Sequence, residues 1–211
     1  LLIDLAFTNS DAAEAIRELQ DISSAVPHNV LDALAAGGIA RALGISPEKV
    51  QQGLKNFVLD RHRLGLILDK AGIKWVNDSK ATNPHAALAA ILSQSSVIWI
   101  AGGLEKGSDM NDLITRGKNR LREVILIGQD SEIIKAALTK HAPQVPVHNV
   151  TSDQTGEALM LEVVTLAKSI AKSGDTVLLA PACASMDQFI SYADRGNAFT
   201  KAIEKLVAKN G

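Results

Sequence analysis

Aromatic residues make up only 3% of the 211-residue chain, and cysteine occurs once, at Cys183. A single thiol excludes any intrachain disulfide and suits a reducing, cytoplasmic location. Charge of one sign is missing too, because 22 basic and 23 acidic side chains leave a net charge of -1. No long-range field favours nucleic acid or an anionic membrane, so neither is expected as a partner. No apolar run approaches the ~20 residues needed to cross a bilayer, and no signal peptide opens the chain. Neither a GxxxxGK[ST] phosphate loop nor the GxGxxG of dinucleotide folds occurs. The chain opens Leu1-Leu2-Ile3 without methionine, and the expectation is that it starts in the middle of a larger protein.

What is there is an apolar fraction of 46%, enough to fill a packed core, on a length suited to one full domain plus part of another. The first third is helical in pattern and lacks sheet partners. Asp11 to Leu19, Val30 to Leu43 and Pro47 to Phe57 read as helices behind a short strand, Leu1 to Leu5. Asn29 can cap the second helix and Gly44 close it, while Ser46 and Pro47 form an N-cap and first-position pair for the third. Standing alone, these helices would expose much apolar surface, as the tail of a neighbouring domain would.

From about Arg63 strands and helices alternate. Strands are expected over Gly65 to Asp69, Ile73 to Val76, Val97 to Ala101, Glu123 to Ile127, Val145 to Val150 and Thr176 to Ala180. Helices are expected over Pro84 to Leu92, Met110 to Lys118, Glu132 to His141 and Gly156 to Lys172, with a final pair across Met186 to Lys209. Leu159, Val163, Leu166 and Ile170 share one face of the long helix, and Phe199, Ala202, Ile203 and Leu206 share one face of the last. This alternation predicts an α/β fold: a mostly parallel sheet of about six strands with helices on both faces, preceded by a small helical segment. Only the first two strands of the sheet, joined through Lys70-Ala71-Gly72, read as a hairpin.

Loops that follow parallel strands gather on one sheet edge, where open α/β sheets bind ligands. Three carry unusual content: Asn77-Asp78-Ser79-Lys80-Ala81-Thr82-Asn83, Gly102-Gly103-Leu104-Glu105-Lys106-Gly107 and Pro181-Ala182-Cys183-Ala184-Ser185-Met186-Asp187. Each also has a purely structural reading. Asn83 before Pro84 is a helix cap, Ser185 to Gln188 fits an S-x-x-Q capping box, and the two glycines fit a tight turn. Lys80, Lys106 and Ser185 on one edge nevertheless describe a pocket for a small, carboxylate-bearing anion. His62, His85, His141 and His148 lack metal-ligand spacing and most of them read as solvated, Cys183 as a small buried residue, and the charge run Lys118, Arg120, Arg122, Glu123 as a solvent-facing helix end.

These loops, with His28-Asn29, Arg61-His62-Arg63, Asp187-Gln188-Phe189 and Arg195-Gly196, carry a resemblance. From about Pro27 onward the chain resembles the Mur ligases of bacterial cell-wall synthesis. Sister ligases have tyrosine-containing patterns at the first loop, so Asp78-Ser79-Lys80 is similar to the branch that adds D-glutamate to UDP-N-acetylmuramoyl-L-alanine. The resemblance implies that residues 1–62 end a central ATPase domain and that 63–211 form a C-terminal domain with a Rossmann-like fold. It implies an ATP- and magnesium-dependent, monomeric ligase whose phosphate loop, magnesium ligands and carbamylated lysine lie upstream, so this piece alone would be inactive. Lys80, Thr82, Lys106, Ser185, the backbone at Met186, and Tyr192 would hold D-glutamate, with the Met186 N–H at a helix start. Asn29 and Asp32 would lie near adenine, Arg63 near the phosphates and Asp78 near the ribose. For Asn29, Asp32 and Arg63 the competing readings are a cap, an acid in a first helical turn and a solvated cation. A non-catalytic module of the same fold, or a related ligase such as folylpolyglutamate synthase, are the alternatives.

Overall fold

Proline opens the first two helices of the computed structural model, which describes residues 2–4, 14–17 and 27–208. At a first helical position its fixed φ and missing N–H cost nothing. Contacts divide the chain into two compact units, Leu1–Asp60 and Arg61–Gly211. In the first unit, strands Leu2–Asp4 (β1) and Glu14–Arg17 (β2) pair antiparallel, followed by helices Pro27–Ala42 (α1) and Pro47–Asn56 (α2). Gly44, at φ 81°, closes α1 as expected, with its N–H on the Arg41 carbonyl and that of Ile45 on Ala40. Ala33 and Val50 form a small core with Val30, Ala40 and Leu54.

Three expectations for this unit fail. Glu14–Arg17 is a strand, not part of an Asp11 to Leu19 helix, because four residues cannot separate the two periodicities and pairing with β1 decides; the rest of that run lies outside the described residues. Asn29 is inside α1 rather than at its N-cap position, since the helix already starts at Pro27. The same early start puts Asp32 beyond the first turn, where the helix dipole no longer favours it.

The second unit contains β3 (Gly65–Lys70), β4 (Ile73–Asn77), α3 (Pro84–Leu92), β5 (Val97–Gly102), α4 (Asn111–Gly117) and β6 (Leu121–Ile127). It continues through α5 (Ser131–His141), β7 (Val147–Asn149), α6 (Gly156–Ile170), β8 (Thr176–Leu179) and α7 (Tyr192–Ala208). The sheet order is β3-β4-β8-β5-β6-β7, and only the β3–β4 hairpin is antiparallel. Every residue of β5 is buried because helices cover both faces. Val76, Trp99, Val124 and Leu178 pack in the core of α3, α4 and α5, while Trp75, Ile98, Ile125 and Val177 pack with α6 and α7. The last strand in sequence, β8, lies between β4 and β5, and this places the loops after those three strands side by side.

The expected helix pair at the end is one helix, α7, preceded by a turn. Gln188 and Phe189 donate their N–H groups to the Ser185 carbonyl, and no capping box forms. Of the charged run after α4, Lys118 caps the helix and Arg120 is exposed as expected, but the other two members are not part of a solvated helix end. Arg122 and Glu123 lie in β6, where Arg122 binds Asp175 and the Ile170 carbonyl and Glu123 meets His148 at 2.7 Å. Three of the four histidines, most of which were expected to be solvated, are engaged: His148 on Glu123, His141 on Asn111 and His62 on Asn77.

Candidate functional site

Backbone hydrogen bonds stitch the three loops together at the carboxyl edge of the sheet. The Asp78 N–H donates to the Leu179 carbonyl, Ala182 N–H to Ala81, and Gly102 N–H to Pro181. Leu104 and Ala184 exchange two bonds as an isolated antiparallel bridge. That bridge is why Gly103 must be glycine, since at φ 131° a Cβ would fall 2.0 Å from the Ala184 carbonyl oxygen. The two glycines are thus a close-approach device rather than only a tight turn.

Arg195 locks the first loop to the third. With 1% of its surface exposed, it donates from Nε to Ser79 Oγ and from Nη2 to the Ser79 and Cys183 carbonyls, with Nη1 reaching Ala184 O. Its acceptors are neutral oxygens, and burial pulls its pKa down to about 10, so it remains a cation at neutral pH. Ser79 passes the restraint on, donating from Oγ to the Tyr192 carbonyl. Asn77, also buried, gives its amide N–H groups to the Gly196 carbonyl and toward His62 Nδ1. The His62 ring lies so close to Gly196 that any side chain there would collide with it.

The chemistry-bearing groups on this edge differ in exposure. Lys80 is half-buried, with Nζ 3.9 Å above the Tyr192 ring, an arrangement that holds an ammonium by cation–π attraction without cancelling its charge. Tyr192 therefore presents its ring to Lys80, whatever its hydroxyl does. Thr82 is half-buried, Lys106 is exposed, and Ser185 is buried, with no partner for its Oγ among the described residues. Met186 is exposed and begins a turn, which corrects the expected helix start. Asp78 is 8% exposed and accepts the Leu64 N–H; burial raises its pKa to about 6 against the opposing charge of Arg63. Cys183 is buried and its thiol is pushed up to about 12 by burial, which removes it as a nucleophile. Among the described residues, no three His, Cys, Asp or Glu side chains gather as a metal site.

Asn29 and Asp32 belong to the first unit, where Asn29 is half-buried and Asp32 exposed. Arg63 is exposed in the second. Two residues that organise the edge, Arg195 and Asn77, were assigned no role from sequence. The available signal was an arginine followed by glycine in an otherwise amphipathic helix.

Residues 62–183, more than half of the chain, match the family described as Mur ligase, glutamate ligase domain. The chain belongs to the Mur ligase family. It is 46% identical over 99% of its length to a UDP-N-acetylmuramoylalanine--D-glutamate ligase of Streptomyces coelicolor. It is 47% identical over 98% of its length to the protein of the same name from Thermobifida fusca. In each case it spans 44% of the relative, so the chain covers less than half of the length of these curated relatives. Among solved structures, a pseudomurein peptide ligase type C from Methanothermus fervidus superposes with a TM-score of 0.63 at 20% identity, covering 88% of this chain and 37% of that one. UDP-N-acetylmuramate-alanine ligase from Thermotoga maritima gives 0.57 at 17% identity, covering 87% and 40%. These two similarities establish a Mur-ligase-type fold for the parallel sheet and its helices. No helix among the described residues is long and apolar enough to cross a membrane.

Proposed function

We propose that this chain supplies the amino-acid-binding part of an ATP-dependent ligase that joins D-glutamate to UDP-N-acetylmuramoyl-L-alanine. The observation that carries the reading is the stitched edge itself, which brings the Lys80, Lys106 and Ser185 loops together through β8 and Arg195. Two ammonium groups and two hydroxyls, from Thr82 and Ser185, suit a dicarboxylate, because charge-assisted bonds to carboxylates are the strong ones. The Met186 N–H has no acceptor among the described residues and would add a backbone donor.

In the overall reaction the terminal phosphoryl group of ATP passes to the carboxylate of the muramoyl substrate. The amine of D-glutamate then attacks the acyl carbon, phosphate leaves with the C–O bonding pair, and the amine gives up a proton. A free carboxylate is a poor electrophile, which is why activation precedes attack. This chain's contribution is to hold the amine donor by its carboxylates, leaving the nitrogen free, so that positioning lowers the barrier. Asp78 would accept from ribose hydroxyls and Arg63 would face the phosphates. Magnesium would neutralise developing phosphoryl charge, on ligands expected in the upstream part of the protein.

In the full-length enzyme, Lys80→Ala and Lys106→Ala should each raise the KM for D-glutamate about tenfold or more, the loss of one charge-assisted bond worth roughly 1.5 to 3 kcal/mol. Steady-state kinetics with each substrate varied in turn checks this. Unchanged D-glutamate dependence in both variants would sink the assignment.

A further inference from the structure

Arg63 is flanked by two residues that are not glycine and yet have left-handed backbones, His62 at φ 66° and Leu64 at φ 47°. Such conformations persist where the surroundings hold them, and they gather at functional sites. Here the loop after β4 does the holding. The Leu64 N–H donates to Asp78 Oδ1 at 3.3 Å, the Lys80 N–H to the His62 carbonyl at 3.1 Å, and Asn77 Nδ2 to His62 Nδ1 at 3.1 Å. The direction of the last bond is fixed, because Asn77 Oδ1 accepts the Ser79 N–H while Nδ2 also donates to the Gly196 carbonyl at 2.8 Å. Burial lowers the His62 pKa, which keeps Nδ1 available as an acceptor. The ring is seated edge-on to Tyr192, with centroids 6.4 Å apart, and lies over Gly196, where an added Cβ would collide with Nδ1.

We propose that His62 is a positioning residue for the nucleotide side of the site: its ring pins the strained segment 62–64 to Asn77 and so aims Arg63 at the phosphates, an assignment that rests on the proposed roles of Arg63 and Asp78. His62 acts through Arg63 and not on ATP itself. The Arg63 charge already acts on the Asp78 carboxylate, so the two nucleotide-facing groups lie within electrostatic reach of each other. Without the ring, residue 62 loses its side-chain hold on β4, the segment relaxes, and Arg63 turns away. Lys80 keeps its own side-chain anchor on the Tyr192 ring, which spares the D-glutamate side.

The test is steady-state kinetics of the full-length enzyme with ATP and D-glutamate varied in turn. His62→Gly removes the ring at a backbone angle that glycine tolerates, and Gly196→Ala displaces the ring with a methyl group while favouring the helix. Each should raise the KM for ATP about tenfold and change the KM for D-glutamate less than about threefold. His62→Asn keeps an acceptor at the place of Nδ1 on a residue at home in the left-handed region, so its KM for ATP should stay within about threefold of the parent value. A merely structural role lowers kcat or thermal stability without selecting one substrate. Gly196→Ala decides the matter if His62→Gly fails to fold. A parental KM for ATP in either folded variant, an equal rise for both substrates, or a His62→Asn as impaired as His62→Gly would overturn the proposal. Arg63→Ala separates the two levels: a parental KM for ATP there removes the nucleotide role of Arg63 and the positioning with it, whereas a raised value beside a parental Gly196→Ala rejects the positioning alone.

Discussion

One buried charge at the carboxyl edge of the sheet opposes stability locally. Asp78 titrates near 6 where an unfolded aspartate titrates near 3.8, because burial penalises its anion. Between those values the folded state binds more protons than the unfolded one, so this residue lowers stability as pH rises through the interval. Above it the cost approaches about 3 kcal/mol. Asp78→Asn keeps an oxygen for the Leu64 N–H and should therefore gain stability at pH 7, with the gain vanishing below about pH 4. Urea unfolding of both proteins at pH 4 and pH 7 measures this, and a gain independent of pH would show that Asp78 ionisation is not its source. Arg195 is the opposite case, a buried cation whose removal leaves acceptors behind. Arg195→Met strands the carbonyls of Ser79, Cys183 and Ala184 at about 1–3 kcal/mol each. A loss of about 3 kcal/mol or more is expected in the same assay, and one below about 1 kcal/mol would mean that water replaces the guanidinium.

The last residue of the loop ending in Asn83 has a structural part at the level of the helix it leads. Asn83 Oδ1 accepts the Ala86 N–H at 2.9 Å and Pro84 takes the first helical position, so this residue is a cap for α3. Asn83→Ala should cost about 1 kcal/mol of stability and leave the D-glutamate KM of the full-length enzyme unchanged. Thermal unfolding and kinetics together decide, and a raised KM with unaltered stability would move Asn83 into the ligand site. Asn83-Pro84 and Gly44 were legible because caps are set by neighbours within a few residues. The capping box at Ser185 was equally well formed in sequence and does not exist, because the Ser185 carbonyl closes a turn instead. Glu14–Arg17 failed for a related reason, its state being decided by a partner strand rather than by its own pattern.

For the whole molecule, the consequence of the proposed function is that this chain holds one substrate and lacks the activating half. Calorimetry should find weak D-glutamate binding at best, and phosphate release should show no ATP hydrolysis by the chain alone. Micromolar D-glutamate affinity or turnover would show that the chain is self-sufficient. Leu31, Leu34, Ile39, Phe57 and Val58 of the first unit are exposed.

Local patterning determined most of the second unit. Runs such as Val97 to Ala101 are apolar throughout because both faces of the strand are covered, and α6 and α7 carry the four- and three-residue spacing of helices buried on one side. The presence of lysines and hydroxyls in three loops was readable for the same reason, since those loops are punctuated by strand ends and glycines. Strand order was not readable. Insertion of β8 between β4 and β5 is a long-range pairing that brings Ala81 to Ala182 and Leu104 to Ala184. Arg195 and Asn77 acquire their roles only once the chain has folded back, because Ser79 and Gly196, which they respectively bind, lie more than one hundred residues from them in the chain.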